Sequence, residues 1–196
     1  RGTVLQSAPV CTVSALTGDG LNELIDKIWM ILKETPEKRD VGRGRLPIDR
    51  SFTMSGFGTV VTGTLLDGYL ETGDEAELVL AGKSTRIRNL QTHRQSLEKA
   101  APGTRVAANL TGMSQQDILR GDVLTRPGWL TSTTAVDVKL KVLDALQRPL
   151  KHNMFVTVHT GSNETTAKLR LLESDNRADP GTTCWAQLKL ESPIAV

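Results

Sequence analysis

Asp49 and Arg50 stand side by side in one run of alternating residue types, and Arg105 opens a second such run. A carboxylate and two guanidiniums can make charge-assisted, directional hydrogen bonds. By type alone the ordinary outcome is a surface ion pair worth about 0–1 kcal/mol. The other chemistry-bearing residues are sparse. His93, His152 and His159 show no pair at ligand-like spacing with a carboxylate, so no metal site is expected. Cys11 and Cys184 are too few and too far apart for a zinc framework and read as buried free thiols in a reducing compartment. Ala81-Gly82-Lys83-Ser84 matches the tail of the phosphate-cradling motif GxxxxGK[ST]. Its first glycine would have to stand at Glu77, and the segment joins two strand patterns instead of opening a helix, so a hairpin turn is expected. No nucleophile elbow and no acid/base pair is legible.

The elements that must position these residues are mostly strands. Across Arg45–Met54, Ile48, Phe52 and Met54 alternate with Asp49, Ser51 and Thr53, the period-2 pattern of a half-buried strand. Gly56 and Gly58 flank Phe57 where the chain must reverse. Thr59–Leu66 is a β-branched run interrupted by Gly63, which implies a bulge or a close backbone approach. Short strands broken by Asp-Gly, Ala-Gly-Lys, Ala-Pro-Gly and Arg-Gly-Asp continue to Pro127 and predict a closed barrel. After Arg126-Pro127-Gly128, four alternating runs (133–142, 154–159, 165–172 and 183–190) predict a second all-β unit. N-terminal to all this, Pro9–Ser14 has a short buried-strand pattern. Leu21–Leu32 places Leu21, Leu24, Ile25 and Ile28 on one helical face, with Pro36 ending the helix and Lys33, Lys38 and Arg39 about its end. The polar stretch Glu34–Arg45 reads as a linker.

The chain has 196 residues, 38% hydrophobic and 23% charged, as in an ordinary soluble globular protein. Aromatics are only 4%, so the cores must rest on Val, Leu and Ile. A net charge of +2 means that any nucleic-acid contact has to come from a local patch. There is no signal-peptide pattern and no apolar run long enough to span a bilayer, so a cytoplasmic location is expected. The first residue is Arg1 rather than Met, and the chain is expected to be a piece of a longer protein.

The segment Arg45–Gly73, with Gly58-Thr59-Val60-Val61-Thr62-Gly63 at its centre, resembles the start of the second domain of the translational GTPases. Ile48-Asp49-Arg50, Phe57 between its glycines, Thr64-Leu65, Arg86–His93, Gly103–Leu110 and Arg120–Leu124 resemble more narrowly the selenocysteine-specific elongation factors. The resemblance implies a mainly β chain: a strand-helix end of an α/β GTPase domain (1–38), a linker (39–45), and two consecutive small antiparallel β-barrels, domain II (46–128) and a truncated domain III (129–196). It implies that Asp49, Arg50 and Arg105 line the pocket for the aminoacyl group, with His93 either bonding the terminal adenosine or capping a strand. Ser14-Ala15-Leu16 resembles the last guanine-recognition motif. Arg86, Arg88, Lys168 and Arg170 are candidates for the tRNA backbone, or else solvated strand faces. The implied function is delivery of selenocysteinyl-tRNA to the ribosome, with an mRNA hairpin recognised through parts absent here. No cofactor is expected in this piece and no membrane contact; GTP and Mg belong to the full-length parent, and this piece itself is expected not to be an enzyme. The alternative is the same two domains of a general factor of the elongation factor Tu or initiation factor gamma kind.

Overall fold

A computed structural model describes residues 5–38, 40–173 and 176–196. Nine strands make the first unit: β1 (Arg45–Met54), β2 (Gly58–Thr64), β3 (Leu70–Glu71), β4 (Glu75–Leu78), β5 (Lys83–Thr92), β6 (Gln95–Leu97), β7 (Lys99–Ala100), β8 (Arg105–Leu110) and β9 (Val123–Thr125). Their order is β4-β9-β1-β2-β8-β5, and β4 also pairs with β5, which closes a six-stranded barrel. β6 extends β5 as a hairpin, and β3 and β7 form a separate ribbon. Alternation puts Leu46, Ile48, Val61, Ile87, Leu90 and Leu124 inside, each fully shielded from solvent.

One irregularity decides where the functional candidates point. Ile48 pairs with Gly63 and Arg50 with Thr62, so Asp49 is an extra residue in β1, a β-bulge. In an unbroken strand Arg50 would share the inward face of Leu46 and Ile48. The bulge shifts the alternation, Arg50 is exposed, and Asp49 is half-buried. Phe52 and Met54 consequently lie outward, 37% and 46% exposed, where the unbroken alternation placed them inward. Gly63 is the close approach that its place in a β-branched run implied. A Cβ there would sit 2.2 Å from the Pro47 carbonyl oxygen. The carbonyl of Ile48 receives the Gly121 N–H at 3.1 Å and the Ser162 hydroxyl at 2.6 Å.

Asp122 is the second fastening. It is fully buried, and its carboxylate accepts the backbone N–H groups of Leu80, Ala81 and Val123. This holds the β4–β5 turn, where Gly82 has φ +62°, against the entry to β9. Ala81–Ser84 is thus part of a hairpin, and Lys83 pairs with Asp117.

The second unit contains β10 (Ser132–Lys141), β11 (Leu150–Lys151), β12 (Phe155–Thr160), β13 (Asn163–Leu171), β14 (Arg177–Ala178) and β15 (Thr183–Ala195). They form an antiparallel sheet β10-β15-β13-β12 and a ribbon β11–β14 around a core that includes Val142, Leu169, Ala186 and Leu190. Among the described residues this sheet does not close on itself. Ser162, in the β12–β13 turn, ties it to the barrel through Ile48.

The N-terminal part is a correction in one respect. Helix α1 forms over Leu21–Glu34, with Thr35 as its C-cap and Pro36 beyond. No strand forms over Pro9–Ser14, and most of it is exposed. A strand needs a paired neighbour to receive its N–H and C=O groups; here the Val10 carbonyl accepts from Lys27 and the Ser14 N–H donates to the Asp19 carbonyl, and no described strand pairs with the segment. Cys11 is accordingly only half-buried, whereas Cys184 is buried; both are free. Ile25, Ile28 and Trp29 on α1 remain 51%, 46% and 61% exposed. Arg39 lies outside the described residues.

Replacing Asp122 with Ala strands three part-buried N–H donors, and unfolding free energy should fall by about 3 kcal/mol. Denaturant midpoints at constant slope measure this. A loss below about 1 kcal/mol would mean that those donors find other partners.

Candidate aminoacyl site on the outer face of the barrel

The bulge and the register of three strands assemble the site. Arg50 on β1 lies opposite Thr62 on β2, which lies opposite Ala107 on β8. Arg105, the first residue of β8, is paired with Thr64, one step along the same face. The Asp49 carboxylate receives the Thr62 hydroxyl at 2.7 Å on one oxygen. Its other oxygen receives the Arg105 guanidinium. Asp49 therefore holds Arg105, and Arg50 makes no ion pair among the described residues.

Burial by itself would raise the Asp49 pKa. The hydrogen bonds from Arg105 and Thr62, with the charges of Arg105 and Arg50, outweigh it and hold the carboxyl below the usual aspartate range. The site at neutral pH is an ionised carboxylate engaged with one guanidinium beside a second guanidinium in want of an anion.

His93 and Arg94 occupy the two-residue turn between β5 and β6, with φ of +48° and +66°. Positive φ at both positions is the geometry of a type I′ hairpin turn. The strand of His93 ends at Thr92, whose hydroxyl donates to the Arg105 carbonyl at 2.8 Å. That bond sets the exposed His93 turn beside the start of β8.

A neighbouring pocket of about 120 Å³ was not legible as a site in the sequence. Phe52, Met54, Phe57 and Val60 form its apolar part, and Asn89, Gln91 and Asn109 its amide part. Phe52 pairs with Val60, Val60 with Asn109, and Asn109 with Asn89, so one row of residues crosses four strands. Asn109 is 7% exposed; its amide nitrogen donates to the Phe57 carbonyl at 2.6 Å, and its Oδ1 is buried with no hydrogen-bond partner. The signal available beforehand was the outward amides of the Arg86–His93 and Gly103–Leu110 runs, which only the register brings together.

The remaining candidates are dispersed. Arg86 is exposed and 3.7 Å from Glu75. Arg88 is exposed at a register shift in β5 and borders the Gly56–Gly58 turn. Lys168 and Arg170 stand on β13 in the second unit. Ser14, Ala15 and Leu16 form a turn in which the Ser14 hydroxyl accepts the Thr17 N–H at 3.2 Å and Leu16 is 96% exposed. His159 is 3.7 Å from Glu164, across a polar groove between the two units from Arg120. Among the described residues no group of three His, Cys, Asp or Glu side chains is placed to hold a metal. None of the helices described is long and apolar enough to cross a membrane.

The depressed Asp49 pKa has a signed consequence. The stability that the Asp49–Arg105 pair contributes is complete above the ordinary aspartate pKa of about 3.9 and is lost only as pH falls below it. Stability measured against pH should therefore be unaffected by this group from neutral down to about pH 4, and Asp49→Asn should remove part of the acid loss. An identical acid limb in the variant would show that Asp49 is not shifted by folding.

The family model for elongation factor Tu domain 2 matches residues 58–125. Over 98% of its length the chain is 40% identical to the selenocysteine-specific elongation factor of Desulfomicrobium baculatum, of which it covers 30%. It is 30% identical to elongation factor 1-alpha of Archaeoglobus fulgidus over 98% of the chain and 47% of that protein. The apo crystal structure of translation elongation factor SelB from Methanococcus maripaludis superposes with a TM-score of 0.83 at 26% identity, over 94% of this chain and 43% of that one. The chain thus spans less than half the length of each of these relatives. Residues 58–125 thus match the elongation factor Tu domain 2 family, in a chain similar along nearly all its length to selenocysteine-specific elongation factors.

Proposed function

We propose that this chain is the tRNA-facing part of a selenocysteine-specific translation elongation factor, and that Asp49, Arg50 and Arg105 bind the selenocysteinyl group. The observation that carries the reading is the pair of outward guanidiniums, one held by Asp49 and one in no ion pair among the described residues. A selenol is largely ionised at neutral pH, whereas the serine hydroxyl is neutral. A selenolate gives Arg50 the charge-assisted contact it lacks and adds a second anion to Arg105, which Asp49 already holds; the neutral serine hydroxyl leaves Arg50 unmatched. Both guanidiniums are exposed in the free chain, so the discrimination, on the order of 1–3 kcal/mol, arises only where the docked cargo buries Arg50 without an anion.

The pocket beside the arginines suits the terminal base of the same ligand. An aminoacyl group is esterified to the last ribose, so its base must lie within one nucleoside of it. Apolar rings at Phe52 and Phe57 and the amides of Asn89 and Gln91 suit a planar base with polar edges. His93 contributes from the β5–β6 turn. Arg86, Arg88, Lys168 and Arg170 meet tRNA phosphates.

In this reading residues 1–38 end a GTPase domain, 39–45 link it to domain II (46–128), and 129–196 belong to domain III. Ser14-Ala15-Leu16 borders the guanine. GTP and Mg are held by the remainder of a cytoplasmic parent protein, which hydrolyses GTP, delivers its cargo to the ribosome, and reads an mRNA hairpin through further parts. The second reading, a factor for ordinary aminoacyl-tRNA, is favoured by the identity to elongation factor 1-alpha.

Protection of the aminoacyl ester from hydrolysis separates the two. The assay uses a protein of the relatives' length containing this chain, with GTP, and compares selenocysteinyl and seryl forms of one tRNA. The selenocysteinyl form should be protected about tenfold or more better, and Arg50→Ala or Arg105→Ala should each remove most of that preference. Equal protection of both forms would leave a general tRNA-carrying factor.

A further inference from the structure

The outer face of the sheet β10-β15-β13-β12 carries an arrangement that folding alone does not explain. Strand alternation sends Cys184, Ala186, Leu188 and Leu190 of β15 into the core and Trp185, Gln187 and Lys189 outward. Register then builds rows across the sheet. Lys189 stands between Ala135 and Lys168, and Lys168 is also opposite Phe155. In the next rows Gln187 stands between Asp137 and Arg170, Trp185 is opposite Lys139, and Thr183 opposite Lys141. These rows hold five cations and one acid, Asp137, which already accepts from the Gln187 amide at 3.0 Å; a second carboxylate, Glu173, borders them and accepts the Trp185 N–H at 3.2 Å. None of the five cations makes an ion pair among the described residues.

Two features point away from a merely solvated face. Like charges directly opposite across strands destabilise a sheet, yet Lys168 and Lys189 are paired in this way. Two large aromatic side chains, Phe155 and Trp185, are 64% and 52% exposed among the cations, in a chain with few aromatics. Repelling lysines are relieved by a polyanion, and exposed rings between them offer a stacking surface for bases. A ligand that was only a polyanion would leave the rings without a role.

We propose that this sheet face binds an unpaired RNA segment, with Lys139, Lys168, Arg170 and Lys189 on its phosphates and Trp185 and Phe155 under its bases. It extends the backbone role given above to Lys168 and Arg170 and is independent of the aminoacyl pocket.

The test is fluorescence anisotropy of a labelled single-stranded RNA dodecamer of mixed sequence, with the 196-residue chain, over a series of salt concentrations. The oligonucleotide carries no aminoacyl group, so a failure here leaves the cargo reading standing. Lys168→Ala/Lys189→Ala should weaken binding about tenfold and reduce the slope of log affinity against log salt by about 1.4. Trp185→Ala should weaken binding about fivefold or more with the slope unchanged. Lys33→Ala/Lys38→Ala, which removes equal charge elsewhere, should bind as the unmodified chain does. All of these side chains are at or near the surface, and circular dichroism confirms that each variant is folded. No binding by the unmodified chain, or equal isotherms for the double variant and the unmodified chain, would overturn the proposal. So would an unchanged affinity in Trp185→Ala, which would reduce the face to a general anion binder.

Discussion

The hydrogen bonds converging on the Ile48 carbonyl are the constraint on which the rest of the structure depends. Because β1 carries one residue more than β2 at Asp49, the ladder between them is interrupted at that point. A buried carbonyl without a donor is costly. The Gly121 N–H from the approach to β9 and the Ser162 hydroxyl from the second unit both serve it. One irregularity thereby keeps Leu46 and Ile48 in the core, turns Arg50 out to solvent, and provides the point where the second unit is fastened. Gly63 opposite Ile48 is part of the same arrangement, since any side chain there would collide with Pro47.

The site follows from that geometry by electrostatics. Asp49 is too close to Arg105 and Thr62 to be neutral and too engaged with them to neutralise Arg50 as well. The barrel thus carries a pre-positioned local positive charge on a chain whose net charge is only +2. The same separation of local from net charge recurs on the second sheet, where lysines face one another across strands. Such patches act at short range, because salt screens exposed charges beyond roughly 8–10 Å. They suit a ligand that is already docked better than one to be attracted from a distance.

Much of this was legible in the residue order. Period-2 alternation and glycine-marked turns located the strands of both units, and Gly63 announced a close approach. Asp49 and Arg105, far apart in the chain, were singled out through family resemblance and do meet in the structure. Gly63 also announced a bulge, which lies opposite it; that the extra residue stands in β1 was not legible, because Ile48-Asp49-Arg50-Ser51-Phe52 offers no residue type that marks where the alternation slips. Phe52 and Met54 therefore fell on the wrong face. Pro9–Ser14 shows the opposite error, since strand-forming residue types cannot make a strand without a pairing neighbour. The pocket built from Phe52, Asn89, Gln91 and Asn109 depends on the register of four strands, which no local pattern encodes.

The placement of the bulge is best read directly, from cross-strand nuclear Overhauser contacts between β1 and β2 in the isotope-labelled chain. The bulge requires Ile48 opposite Gly63 and Arg50 opposite Thr62, with Asp49 having no residue of its own across from it. An uninterrupted ladder, pairing Asp49 with Thr62 and Arg50 with Val61, would turn Arg50 toward the core and contradict the account.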